Sequence, residues 1–164
     1  MKKNTIAVVI GVAAIIVAGY FGVRTFTGGA LADGVQATID ARRALMKDNG
    51  AKMKAMGAVV EAKSGDMAAM QQLALGIQAN AAKIGDLFPA GSSMTEFPDK
   101  TFAKPEIWAD LNDFKAGAAT LGTEAGKLAD TAKSGDMAAF AAQLDATGEK
   151  GCGGCHTKYR QKKS

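Results

Sequence analysis

Histidine is nearly missing from this 164-residue chain: there is one, His156, and the only two cysteines, Cys152 and Cys155, stand just before it. A lone imidazole excludes bis-histidine metal ligation within one chain and leaves no second histidine for acid–base work. Two cysteines are too few for a disulfide framework, and their three-residue spacing disfavours a structural bridge. Proline is confined to positions 89, 98 and 105, and only ten residues are aromatic. Valine and isoleucine cluster little beyond the first 23 residues, which argues against sheet, whereas abundant alanine and methionine favour helix. The length fits one domain with an N-terminal appendage.

A basic excess is also largely missing from that domain. The net charge of +4 includes Lys2, Lys3 and Arg24; residues 33–164 carry 17 basic and 16 acidic side chains. A domain so close to neutral lacks the electrostatic footprint of a nucleic-acid binder. The terminal Lys158, Arg160, Lys162 and Lys163 read as a solvated helix end, favoured there by the helix dipole.

The long apolar run stands at the N-terminus. After "MKKN" come eighteen uncharged residues from Ile6 to Val23, about 27 Å of helix at 1.5 Å per residue, close to a bilayer's hydrocarbon thickness. The lysines hold that end in the cytoplasm, so everything after Arg24 is exported. "ALA" at 30–32 offers a cleavage site, but Arg24 intervenes and the run is long for a signal. Residues 1–32 are therefore a signal peptide or a retained membrane anchor, and residues 33–164 form an extracytoplasmic domain, in the periplasm.

From Asp33 onward the apolar pattern is helical, in steps of three and four. Four stripes emerge: Val35, Ile39, Arg42, Met46, Asn49, Met53, Met56 and Val60; Met67 to Phe88; Ile107 to Ala132; and Met137, Phe140, Leu144, Gly148, Cys152, Cys155 and Tyr159. "AKSGDMAA" occurs at 62–69 and again at 132–139. In each copy Gly is expected to end one helix in a left-handed conformation and Asp to cap the next. Connections this short force antiparallel hairpins. The prolines place the irregular crossing between hairpins over 89–105, with Pro105 in the first turn of the third helix. The predicted fold class is all-α: an antiparallel up-down four-helix bundle.

"CGGCH" at 152–156 is the attachment signature of c-type haem. Two thiols three apart lie on one helix face and can add to two vinyl groups, and the adjacent imidazole can then take the iron. A thioredoxin-like dithiol needs a cysteine at a helix N-terminus after a strand, and no strand pattern precedes this one. Zinc needs four ligands, and this set stops at three. The expected cofactor is one covalent haem c.

Four blocks in order make residues 35–162 resemble the class II c-type cytochromes, the cytochrome c-prime family: "ARRALMKDNG" (41–50), "LFPAGS" (87–92), "AKPEIWADLNDFKAGA" (103–118) and "CGGCHTKYR" (152–160). The resemblance implies haem attached through Cys152 and Cys155, near the end of the fourth helix, with His156 as an axial ligand. It leaves two functions open. Five-coordinate members bind NO or CO; low-spin members use a first-helix methionine as sixth ligand and carry electrons. Met46 holds that position, and "LMKDNG" resembles the methionine-ligated, cytochrome c-556-like branch; Met53, two turns on, is the weaker candidate. A methionine on an apolar stripe also serves as core filler. Arg42 on the buried stripe implies a haem propionate, the alternative being a rim arginine paired with an acidic neighbour. Trp108 is expected at the haem edge or in ordinary core packing. Tyr159 and Arg160 share the helix face of His156, and Arg160 can cover its imidazole. The implied role is electron carriage for redox proteins of a respiratory or photosynthetic chain, not enzymatic catalysis. A homodimer through the first two helices is also implied, with membrane association only if the N-terminal segment is retained.

Overall fold

The computed structural model describes residues 29–162, with side chains from Asp33 onward. The apolar run over 6–23 and Arg24 therefore lie outside the described residues. Among those described there is no strand, and no helix is long and apolar enough to cross a membrane. The helices are α1 (Gly29–Ala62), α2 (Met67–Ile84), a short α3 (Glu106–Ala109), α4 (Leu111–Ser134), α5 (Met137–Ala146) and α6 (Gly154–Tyr159). A π-helical segment, Thr147–Gly153, joins α5 to α6, so the three form one continuous fourth helix. Short connections make α1 antiparallel to α2, and α4 antiparallel to α5. The result is a four-helix bundle.

The expected stripes form the core. Met70, Ala74, Ile77, Ala81 and Ile84 are buried on α2, as are Phe114, Ala118, Leu121, Ala125, Leu128 and Ala132 on α4. Alanine at five of these eleven positions lets α2 and α4 approach closely, and theirs is the most extensive helix contact among the described residues. Asp66 and Asp136 cap α2 and α5 as expected, each accepting from two backbone amides. Each cap of this kind contributes about 1 kcal/mol.

Three local features differ from expectation. The left-handed residue of the first "AKSGDMAA" is Lys63 (φ 51°), and Gly65 is not left-handed; only the second copy uses its glycine, Gly135 (φ 76°). The first helix ends at Ala62, whereas its counterpart runs on through Ser134, so one octapeptide supports two exits. The third helix is broken at Asp110, whose extended backbone ends α3 and whose side chain caps α4 through the Asp113 amide at 2.9 Å. The fourth helix is not uniformly α-helical: buried Thr147 donates to the carbonyls of Gln143 at 2.8 Å and Glu124 at 3.3 Å at the start of the π-helical segment.

Candidate haem site

Cys152, Cys155 and His156 lie along the π-to-α passage of the fourth helix. Both cysteines are free and half-buried, and Cys152 packs against the core. Burial pushes both thiols above the ordinary cysteine range, so they stay protonated at neutral pH. Cys155 rests against a notch in α4: a Cβ built on Gly117 would stand 2.5 Å from its Sγ. Gly151 makes a second close approach, since a Cβ there would lie 3.3 Å from the Leu121 Cα. His156 is exposed as a residue, yet its ring is partly desolvated. That burial, then the Arg160 charge, holds the imidazole below the usual histidine range and neutral at pH 7. A neutral imidazole beside two protonated thiols is the donor set that covalent haem requires. Among the described residues no three His, Cys, Asp or Glu side chains gather as a metal-ion cluster, so the zinc alternative finds no further ligand.

Helix α1, antiparallel to the fourth helix, packs along α2 and α5. The Met53 Cε lies 3.8 Å from where a Gly148 Cβ would stand, and this sets the register of the antiparallel pair. Seven residues back along α1, against seven forward along the fourth helix, bring Met46 about level with Cys155. Met46 is half-buried against the core, as are Leu45 and Met53.

Arg42, one turn before Met46, is 3% exposed. The alternative, an acidic neighbour paired with Arg42, is not what the described residues show: its hydrogen-bond partners among them are neutral. The guanidinium donates to Ser92 Oγ at 2.8 Å, the Ser92 carbonyl at 2.5 Å and Thr101 Oγ1 at 2.7 Å. It also stacks 4.6 Å from the Phe88 ring centroid. Ser92 and Thr101 belong to the crossing loop, whose neutral oxygens hold the guanidinium in place of the acidic side chain of the alternative reading. Burial lowers the Arg42 pKa to about 10, and the group stays charged at pH 7.

Trp108 is half-buried and donates to the carbonyls of Phe88 and Pro89 at 3.1 and 3.0 Å. It begins an aromatic row running through Phe88 and Phe114 to Tyr159, with centroid separations of 6.1, 4.6 and 5.3 Å. Tyr159 is buried, and its hydroxyl donates to Asp113, which also takes Lys158 Nζ at 2.6 Å. Lys158 first, then Tyr159, holds the Asp113 carboxyl below its ordinary range. Arg160 is exposed and bridges Ala103 through its backbone. Lys104 donates to the Tyr159 carbonyl at 3.0 Å and Gln161 to that of Phe102 at 2.8 Å.

The fold thus joins Arg42 and Trp108 through Phe88, and gathers Cys152, Cys155, His156 and Tyr159 on the facing helix. Sequence reasoning missed Ser92, Thr101, Asp113 and Gly117 as parts of this end of the bundle. Ser92, Asp113 and Gly117 fall inside the family-like blocks and could have been picked out there; Thr101 lies in no block.

Residues 37–160 match the family model described as Cytochrome C'. A cytochrome c-556 of Agrobacterium fabrum is 36% identical over 126 residues, which cover 76% of this chain and 82% of that relative. A cytochrome c' of Pararhodospirillum photometricum is 32% identical over 126 residues, covering 77% and 98%. The solved structure of a cytochrome c' with an unusual ligand-controlled dimer dissociation superposes with a TM-score of 0.71 at 28% identity, covering 78% and 97%.

Proposed function

Because the chain belongs to the cytochrome c' family and carries covalent haem c for electron transport, we propose that it passes single electrons through a haem fixed by Cys152 and Cys155 and ligated by His156 and Met46. The observation that supports this reading is the register across the bundle: Met53 meets Gly148, so Met46, seven residues earlier on the same stripe, comes about level with Cys155. The similarity to a protein named cytochrome c-556 supports it.

When bound, the haem supplies a one-electron iron couple, and a histidine–methionine ligand pair raises its potential relative to bis-histidine. The chain's own residues do the rest. Two protonated thiols present sulfur for thioether attachment, and the Gly117 notch gives the second one room. His156 presents a neutral nitrogen. Met46 presents a thioether that stays in place as electrons come and go. Leu45, Met53, Phe88 and Phe114, packed in or against the core, would help to keep water from a bound haem. Arg42, held without a carboxylate, offers a positive charge to a propionate at that end.

Met46→Ala is the test. The ferric wild type should show the weak far-red charge-transfer band of methionine-ligated haem, and the variant should lose it and turn high-spin. A wild type already high-spin and readily shifted by CO would establish the second reading, a five-coordinate NO/CO-binding protein, which the cytochrome c' relative favours.

The protein acts as a carrier rather than as an enzyme, in the bacterial periplasm and among redox proteins of a respiratory or photosynthetic chain. It is soluble or tethered according to the fate of residues 1–32, which mass spectrometry of the purified protein decides. Self-association through α1 and α2 is read from sedimentation velocity.

A further inference from the structure

Among the described residues, one buried side-chain nitrogen or oxygen has no hydrogen-bond partner: Asn49 Nδ2, on a residue 6% exposed. Chemistry fixes which way this amide points. Asp48 is ion-paired with Lys52 and turns the same carboxylate oxygen to Asn80, so it is the acceptor there. Asn80 must therefore turn its Nδ2 toward Asp48, at 2.7 Å. The same Nδ2 donates its other hydrogen to Asn49 at 2.8 Å, so the Asn49 atom facing α2 must be the oxygen. Reversing Asn49 would set donor against donor. Its Nδ2 is left buried without an acceptor, on the same α1 stripe that carries Met46 three residues earlier. Helical side chains lean toward the N-terminus, which carries the amide over the turn of Met46.

A clasp between α1 and α2 accounts for the Asn49 oxygen but not for the nitrogen. A buried donor costs stability unless an acceptor arrives, and the group expected on this face is the haem. Its propionate edge is assigned to Arg42, one turn before Met46, and Asn49 lies one turn after, about level with Cys152. The acceptor that the stripe sets nearest to it is the Met46 sulfur, three residues earlier. Resting on the histidine–methionine reading, we propose that Asn49 is the distal hydrogen-bond donor of the haem site, its Nδ2–H giving a hydrogen bond to the Met46 sulfur when that sulfur is on the iron. The bond draws electron density from the thioether and so favours the ferrous state; Asn49 is a positioning and tuning residue, not a ligand.

The test is a double-mutant cycle on the holoprotein: wild type, Asn49→Leu, Met46→Ala and the double variant, each equilibrated with a redox mediator dye of known potential. Loss of one such hydrogen bond should shift the ferric-to-ferrous ratio of Asn49→Leu toward ferric by about threefold to tenfold. The shift should vanish in the Met46→Ala background. Asn80→Ala, which removes the clasp but keeps the amide, should lower the urea midpoint as Asn49→Leu does and leave the ratio unmoved. An unmoved ratio in Asn49→Leu, with the far-red band intact, overturns the proposal and leaves methionine ligation standing. Equal shifts with and without Met46, or an equal shift from Asn80→Ala, overturn it in favour of a purely structural role. A wild type without the far-red band removes the ligation reading and this proposal with it.

Discussion

At the scale of single residues, Arg42 couples the site to the fold. Its guanidinium meets three oxygens of Ser92 and Thr101, groups 50 and 59 residues away, while its other face covers Phe88. Lysine cannot reproduce that fork. Arg42→Lys should therefore lower stability by about 1.5–3 kcal/mol, the range for hydrogen bonds to a charged group, and Ser92→Ala by about 1 kcal/mol. Urea unfolding measures both, and an Arg42→Lys protein as stable as wild type would remove the clamp from the account. The burial of Arg42 was legible in the stripe it interrupts. Its partners were not, because the crossing loop has no periodicity to show which hydroxyls turn inward. Gly117 is similar: it sits in a helix where alanine ordinarily gains about 1 kcal/mol, yet a Cβ would press on the Cys155 sulfur. Gly117→Ala should reduce the share of chains carrying covalent haem, read by mass spectrometry; full attachment would show that the notch is not needed.

At the scale of elements, what periodicity can mark was legible and what backbone geometry decides was not. The stripes of α2 and α4 reappear as buried positions along their length, with only the first residue of each helix, Met67 and Leu111, half-buried. The π-helical segment left no such trace: it runs through Gly148, Gly151 and Gly153, which carry no apolar side chain to register extra residues in a turn. Its phase matters, because Cys152 and Cys155 follow from it. Segments of this kind occur often at functional sites. Thr147 anchors its start with one hydroxyl between two carbonyls, of Gln143 and Glu124. Thr147→Val keeps the shape and removes the hydroxyl, so a loss of about 1 kcal/mol is expected. A change in the haem spectrum should accompany it, since rotation of the segment moves His156. Lost stability with an unchanged spectrum would confine Thr147 to packing.

At the scale of the whole molecule, the two ends of the bundle are built differently. One end has two short turns capped by Asp66 and Asp136. The other gathers the crossing loop, the attachment segment and the last residues of the described chain into one hydrogen-bonded layer. Arg42 holds the loop through Ser92 and Thr101, the loop holds the chain end through Lys104 and Gln161, and Asp113 holds α6 through Lys158 and Tyr159. Asp113 is the titratable clasp of that layer. Its carboxyl lies below the ordinary value of about 3.9, by the Lys158 bond first and the Tyr159 bond second. A carboxyl lowered in the folded state adds stability that is complete above the unfolded value and disappears as pH falls through the folded one. The unfolding midpoint of wild type should therefore exceed that of Asp113→Asn by a constant margin from about pH 8 to pH 5, and the margin should close below about pH 4. Amide exchange should report faster opening of Gly154–Tyr159 in the variant at neutral pH, while the α2–α4 core is unchanged. A margin that persists undiminished in acid would assign the effect to shape rather than to the carboxylate's charge, and the clasp would then be a packing contact only.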